Sequence, residues 1–408
     1  MAYRGLQLTG KVGSSVFLAF LFWKWGVEMK KFNLIAACAA GIESVVGNEL
    51  RHLGYQVQVE NGRVRFQGTI EDVLKTNLWL RTADRIKIVM AEFPAKTFDQ
   101  LYEETKQVAW DELLPMDAAF PVAGRSQKSQ LHSVPDVQGI VKKAVVDKLA
   151  QVYHRHGHLP ETGAVFPLEV AINKDQVLLT LDTTGSSLFK RGYRIEKGPA
   201  PLKENFAAAL IYLAHWYPEK PFIDPVCGSG TLPIEAALIG HNIAPGFKRN
   251  FTCETWPWVA AELSQRIREE AADLADYDRK LEITGLDIDG QMITISRLNA
   301  RQAGLSKEIT FKQQAVKDFK TTLTEGVIVA NPPYGQRLSD QREVRQLYQQ
   351  MGEVFRPLTT WNKYFLTSDL LFENFYGQRA NKRRKLYNGA LRTDLFQYWG
   401  KKKRQPKN

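Results

Sequence analysis

The residues Gly326–Ala330 are small or apolar throughout and run straight into Asn331-Pro332-Pro333-Tyr334, with Gly335 behind. A short apolar run bounded by turn residues reads as a buried strand. It stops here because proline has no N–H to continue a sheet ladder. Asn331 is thereby placed at the carboxyl end of a strand, where open α/β sheets bind their ligands. Two fixed φ angles make the turn rigid, so the Asn331 side-chain oxygen and the Pro332 carbonyl can face one point as paired acceptors. Tyr334 adds a flat face on which a base could stack. Two acceptors and a ring suit a planar exocyclic NH2 group, as on guanine, adenine or cytosine. The same tetrapeptide could also be only a stiff loop after a strand; its partner motifs decide between the two.

A length of 408 residues implies two or three domains, and 44% apolar content is enough to build their cores. Cys38, Cys227 and Cys253 are far apart with no CxxC spacing. That pattern points to a reducing cytosol, with no disulfide framework and no zinc site. With 55 Lys and Arg against 44 acids the net charge is +11. From Arg379 to Asn408 eleven basic residues face one acid, Asp394, so almost all of the excess sits in the last stretch. A basic end fits a polyanion such as nucleic acid, or simply a solvated tail. Residues 1–28 contain an apolar run, Val16–Trp25, too short to span a bilayer and lacking a small-residue cleavage site. They read as an extension ahead of a clean start at Met29, and no membrane role is expected.

Phe32–Ala37, Gly41–Leu53, Val57–Glu60, Arg63–Phe66, Ile70–Leu80 and Ile86–Phe93 predict the order β-α-β-β-α-β, with Asn61-Gly62 as a hairpin turn. Phe98–Val108 reads as a helix and Ala119–Ala123 as a strand leading into a small basic loop, Gly124–Ser129. Val137–Tyr153 is a helix carrying Lys142, Lys143 and Lys148, and Phe166–Ile172 with Gln176–Leu181 forms a hairpin. His154, His156 and His158 alternate, but the loop offers no Cys or carboxylate partner, so no metal site is expected. A ferredoxin-like module, this basic module and then Arg191-Gly192-Tyr193-Arg194 together resemble the THUMP-containing RNA methyltransferases.

The resemblance sharpens downstream. Asp224-Pro225-Val226-Cys227-Gly228-Ser229-Gly230-Thr231, Gly285-Leu286-Asp287-Ile288-Asp289 and Asn331-Pro332-Pro333-Tyr334-Gly335 each follow a predicted strand, in this order. This constellation resembles the ribosomal RNA large-subunit N2-guanine methyltransferase L family over roughly residues 30–398. The fold it implies is α/β: a Rossmann-like class I methyltransferase domain preceded by an α+β ferredoxin-like plus THUMP RNA-binding region. The expected division is 29–95 ferredoxin-like, 96–185 THUMP, 186–398 methyltransferase and 399–408 basic tail. The insertion holding Ala244-Pro245-Gly246-Phe247 and Trp256-Pro257-Trp258 reads as packing rather than base stacking.

The glycine turn is neither a P-loop nor GxGxxG, and Asp224 ahead of it disfavours a phosphate. It suits S-adenosylmethionine, which has an ammonium and a sulfonium. Cofactor contacts are expected from Asp224, Cys227, Gly228, Gly230, Thr231, Asp287, Ile288 and Asp318. Asp287 would hold the ribose hydroxyls and Ile288 would lie on the adenine. Asp318 would accept from the adenine amine, or else cap a turn. Asn331, Pro332, Pro333 and Tyr334 would be catalytic. RNA would be gripped by Arg125, Lys128, Lys142, Lys143, Arg191, Arg194, Lys382, Arg383 and Arg384. The implied activity is methyl transfer to N2 of a guanine in 23S ribosomal RNA, free or in an assembly intermediate. A DNA adenine-N6 methylase, a tRNA N2-guanine methyltransferase and a non-catalytic assembly factor are the rival readings.

Overall fold

The computed structural model describes residues 30–156, 158–195, 202–334 and 338–401. The expected extension 1–28, Ala200 and Pro201 ahead of the next helix, Gly335 and residues 402–408 of the basic tail lie outside them. Two seven-stranded sheets build the molecule.

The first contains β1 (Phe32–Ala37), β2 (Gln58–Glu60), β3 (Arg63–Gly68), β4 (Arg85–Pro94), β5 (Val122–Gln127), β6 (Leu168–Asn173) and β7 (Gln176–Asp182). Their order is β2-β3-β1-β4-β7-β6-β5. The first four follow ferredoxin-like order, with helices Glu43–His52 and Ile70–Trp79 between them. Helices Phe98–Gln107 and Val134–Val152 belong to the THUMP half. The two modules share one sheet, because β4 pairs antiparallel with β7 from Lys87↔Asp182 to Pro94↔Gln176. The β6–β7 turn is formed by Lys174 and Asp175, at φ 53° and 59°, the positive pair that a two-residue hairpin requires.

One expectation is corrected here. Gly124–Gln127 is not loop but part of edge strand β5, which pairs in parallel with β6 from Val122↔Leu168 to Gln127↔Asn173. Gly124-Arg125-Ser126-Gln127 holds no apolar side chain to mark the strand, whose ladder is made by backbone. Gly124 is needed because helix Val134–Val152 lies on it; a Cβ there would meet Gln138 Cγ at 2.7 Å.

The second sheet contains β8 (Phe222–Asp224), β9 (Ile283–Asp287), β10 (Ile309–Gln313), β11 (Val327–Ala330), β12 (Asn362–Thr367), β13 (Lys382–Asn388) and β14 (Leu391–Tyr398). The order is β10-β9-β8-β11-β12-β14-β13. All pairs from β10 to β12 are parallel, and β14 runs antiparallel to β12. Strand order reverses at β8, which has β9 on one side and β11 on the other, so the crevice opens at the ends of these three strands. No helix among the described residues is long and apolar enough to cross a membrane.

The two halves are locked together. The Trp256-Pro257-Trp258 insertion packs into the THUMP half: Trp256 stacks on Phe166 at 5.0 Å and donates Nε1–H to the Val165 carbonyl at 2.9 Å. Trp258 donates to the Leu113 carbonyl at 2.9 Å. At the ferredoxin-like module, Asn205 donates to Asp84 at 3.0 Å and Arg384 donates to the Gly41 carbonyl at 2.8 Å. One hydrophobic core runs from Leu34 through Trp256 to Val327.

Candidate functional site

Asp287, Asp224 and Asn331 stand at the carboxyl ends of adjacent strands β9, β8 and β11. The loops after β8 and β9 are stitched together: Gly228 N–H donates to Asp287 Oδ2 at 2.8 Å, and Cys227 N–H to the Leu286 carbonyl at 2.7 Å. The second Asp287 oxygen accepts from Asp289 N–H at 2.9 Å. Gly228 and Gly230 are left-handed, at φ 51° and 82°. A Cβ on Gly230 would meet Ser296 at 2.9 Å, whereas one on Gly228 would meet nothing within 4 Å. Gly230 thus fits the loop to the sheet, and Gly228 leaves the backbone open to a ligand.

Asp224 is buried and accepts from Val226 N–H at 3.2 Å. Burial pushes its carboxyl well up, and the neighbouring Asp287 pushes the same way. Asp287 is also raised by burial, opposed by its backbone N–H donors. Among the described residues no Lys or Arg pairs with either carboxylate. Two adjoining desolvated acids without a cation form a cradle for an ammonium and for hydroxyl donors. Ile288, 71% exposed, projects beside it as an apolar face. Asp318 ends a short 3-10 turn past β10 and is exposed. These residues fit an adenosyl group bearing a cationic amino-acid tail. Cys227 is buried, and burial pushes its thiol well up, so it lines the loop as an inert apolar group.

Asn331 follows β11 directly. Tyr334 is half-buried, and its hydroxyl donates to Asn331 Oδ1 at 2.5 Å. Burial raises the Tyr334 phenol, with Asn388 of the β13–β14 turn acting against it. Tyr348, buried in helix Leu338–Phe355, donates to the Pro333 carbonyl at 3.0 Å and bonds Thr367 Oγ1 at 2.9 Å. The Pro333 carbonyl is therefore engaged by the helix, which fixes the proline turn. Sequence reasoning missed Tyr348, Thr367 and Asn388. Tyr348 shares a helix face with Val344, Met351 and Phe355, so periodicity reports only core.

The expected RNA-facing cations separate into groups. Lys128, Lys143 and Lys382 face solvent, as does Arg125, whose side chain is 65% exposed and pairs with Glu169 at 3.4 Å on its inner side. Lys142 is half engaged, bonded to Glu161 at 2.6 Å and lying 3.7 Å from the Phe120 ring centroid. Arg383 pairs with Asp394 at 2.9 Å, and Arg384 is spent on Gly41 and Ser44. Arg191 and Arg194 are corrections. Arg191 is buried on Glu235, the Leu188 carbonyl at 2.8 Å and the Arg81 carbonyl. Arg194 is buried on Glu204 at 2.8 Å. Neither can reach a phosphate; each found an internal carboxylate that the sequence shows only as a helix charge. Among the described residues no cluster of three metal-ligating side chains exists, the His154–His158 loop included.

Comparison with known proteins agrees with this geometry. Residues 191–397 match the family described as RMKL-like, methyltransferase domain; 33–87 match the RlmL ferredoxin-like domain and 95–182 the THUMP domain. YpsC of Bacillus subtilis (strain 168) is 52% identical over 380 residues, covering 93% of this chain and 99% of its own. The ribosomal RNA large subunit methyltransferase K/L of Syntrophotalea carbinolica is 35% identical over 380 residues and 90% of this chain. The chain spans about half the length of that relative, 53%. The crystal structure of SMU.472, a protein complexed with SAH, is 54% identical and superposes with a TM-score of 0.88 over 92% of this chain and all of that one. The chain belongs to the RMKL-like methyltransferase family, in the form that carries an RlmL-type ferredoxin-like domain and a THUMP domain ahead of the catalytic sheet.

Proposed function

We propose that this chain transfers a methyl group from S-adenosylmethionine to the exocyclic N2 amine of a guanine in large-subunit ribosomal RNA. Family membership makes it an S-adenosylmethionine-dependent RNA methyltransferase; the base and its atom are our reading. The observation that supports it is the juxtaposition of unpaired Asp224 and Asp287 with the Asn331 acceptor on three adjacent strand ends. Bound S-adenosylmethionine would supply an electrophilic methyl on a sulfonium, passed to the amine as the S–C bond breaks and the N–C bond forms, with a neutral thioether leaving and the displaced amine proton released to water.

The protein's part is alignment and charge stabilisation. Asp287 would hold the ribose, Asp224 the ammonium, and Gly228 the approach of the backbone. The Asn331 oxygen has two lone pairs. Tyr334 occupies one and orients the amide with its oxygen inward, leaving the second for the target amine together with the Pro332 carbonyl. An N–H held by these acceptors gains most as positive charge grows on nitrogen during attack. The target base must be unpaired or flipped into the crevice. The solvent-facing cations Arg125 and Lys128, on the THUMP edge strand and just past it, would hold RNA by its phosphates.

The test is tritium transfer from labelled S-adenosylmethionine to unmodified 23S ribosomal RNA, tRNA and duplex DNA, followed by nucleoside analysis. Asn331→Ala should lower transfer by about 100-fold or more while sparing SAH and RNA binding. Tyr334→Phe, which frees the amide to flip, should lower it by less than about tenfold. Full activity in Asn331→Ala would sink the assignment. N6-methyladenine as product, or tRNA or DNA as the preferred substrate, would replace it.

A further inference from the structure

The Gly228–Thr231 loop at the end of β8 is held by one internal bond, Gly230 N–H to the Cys227 carbonyl at 2.9 Å, and otherwise by residues outside it. Gly228 and Gly230 have the freest backbones in the chain's chemistry-bearing stretch, and both are in the left-handed region. The bonds that fix Ser229 between them come from outside the loop. Asn299, on the helix after β9, donates Nδ2–H to the Ser229 carbonyl at 3.0 Å and accepts from Ile195 N–H at 3.0 Å. Arg194 donates to Ser229 Oγ at 3.1 Å and to Thr231 Oγ1 at 3.0 Å.

The Arg194 side chain is only 8% exposed, and the rest of its fork is taken by Glu204 at 2.8 Å and the Leu202 carbonyl at 2.9 Å. One planar guanidinium thus binds two loop hydroxyls, a buried carboxylate and a carbonyl at once, which an ammonium cannot do. Three residues earlier Arg191 grips helix Thr231–Gly240 one turn past Thr231, at Glu235, with Tyr193 donating to that carboxylate at 3.1 Å. Arg191 also donates to the Arg81 carbonyl in the ferredoxin-like module. The segment Leu188–Ile195 therefore joins the RNA-binding half to the loop through two buried arginines.

We propose that Arg194 is a positioning residue: it sets the Gly228–Thr231 loop in its binding shape and ties that shape to the RNA-binding half. This rests on the reading that the loop holds S-adenosylmethionine. Arg194 itself touches the loop and not the reacting atoms. Replacing it should act on donor affinity and leave chemistry and RNA affinity alone.

The test measures SAH binding by calorimetry, steady-state methylation and RNA affinity on the full chain. Arg194→Lys keeps the charge beside Glu204 and loses the fork. It should weaken SAH binding about tenfold and raise KM for S-adenosylmethionine equally, with kcat at saturation and RNA affinity within about twofold of wild type. Ser229→Ala removes one of the two Arg194–loop bonds from the loop side, leaving Thr231 and the Arg194–Glu204 pair in place, and should weaken SAH binding in the same direction by less. The double variant should be no worse than the stronger single one, as for two ends of one interaction. Unchanged SAH affinity in Arg194→Lys, or in Ser229→Ala if the first variant does not fold, overturns the proposal. So does lowered RNA affinity with SAH binding intact, which would make Arg194 an RNA contact. Wild-type protein that fails to bind SAH would overturn the donor reading itself, an outcome distinct from any difference between variants.

Discussion

Trp258 tests whether the THUMP half and the catalytic sheet work as one body. Its indole is fully buried, tilted against Trp256 at 5.1 Å, with Nε1–H on the Leu113 carbonyl at 2.9 Å. Trp258→Phe keeps a ring but removes the donor and part of the buried volume. Leaving a buried carbonyl without this partner costs about 1–3 kcal/mol, and the cavity adds to that. We expect about 2 kcal/mol for Trp258→Phe and about 4 kcal/mol for Trp258→Ala. At roughly 2–4 °C per kcal/mol for units of this size, the Phe variant should unfold roughly 4–8 °C lower by scanning calorimetry. Because the contact lies between the halves, loosening it should raise KM for RNA. SAH affinity should stay within about twofold, since the Trp258 partners Leu113 and Trp256 lie outside the donor site. A Phe variant within about 0.5 kcal/mol of wild type, with unchanged KM for RNA, would refute the idea that this insertion carries the interdomain lock.

Asp287→Ala strips the acceptor from Gly228 and Asp289 N–H and should weaken SAH binding by about 2 kcal/mol; calorimetry showing wild-type affinity would remove Asp287 from the site. Asp224 predicts a pH dependence. Its folded carboxyl is raised by burial, so above the ordinary carboxylate range the folded state keeps a proton that the unfolded state has released. Its contribution is therefore present at low pH and lost as pH rises through the raised value. Asp224→Asn should raise the thermal midpoint of the ligand-free protein more at pH 8 than at pH 5, while weakening SAH binding; an equal shift at both pH values would contradict this. Arg125→Ala with Lys128→Ala should reduce the slope of log affinity for RNA against log salt by about 1–2, across sequences alike. An unchanged slope would move the RNA-binding face elsewhere.

The order of elements was legible along the chain because it rests on local signals. Asn61-Gly62 and Asn388-Gly389 mark hairpins, and both glycines are at positive φ. The apolar run before Asn331 is a strand buried at every position, Val327–Ala330. Placing Asp224, Asp287 and Asn331 at strand ends needed only those runs, and the parallel sheet then brings strand ends to one edge. The edge strand Val122–Gln127 was read only as far as Ala123, because Gly124-Arg125-Ser126-Gln127 holds no apolar residue to mark the alternation that its burial follows.

The sequence by itself thus determined the two folds, the strand-end motifs and the basic balance of the chain. Tertiary structure alone decided what each charged or aromatic side chain does there. Arg125 and Arg194 are the same residue type in basic stretches, yet one faces water and the other is enclosed by Glu204, Ser229 and Thr231. Tyr334 offers a ring in the sequence, and the fold turns its hydroxyl onto Asn331. A side chain's type and its neighbours along the chain carry its charge and shape. Which carboxylate or carbonyl stands opposite depends on residues far along the chain, 110 positions for Arg191 and Arg81 and 343 for Arg384 and Gly41, and only packing brings them together.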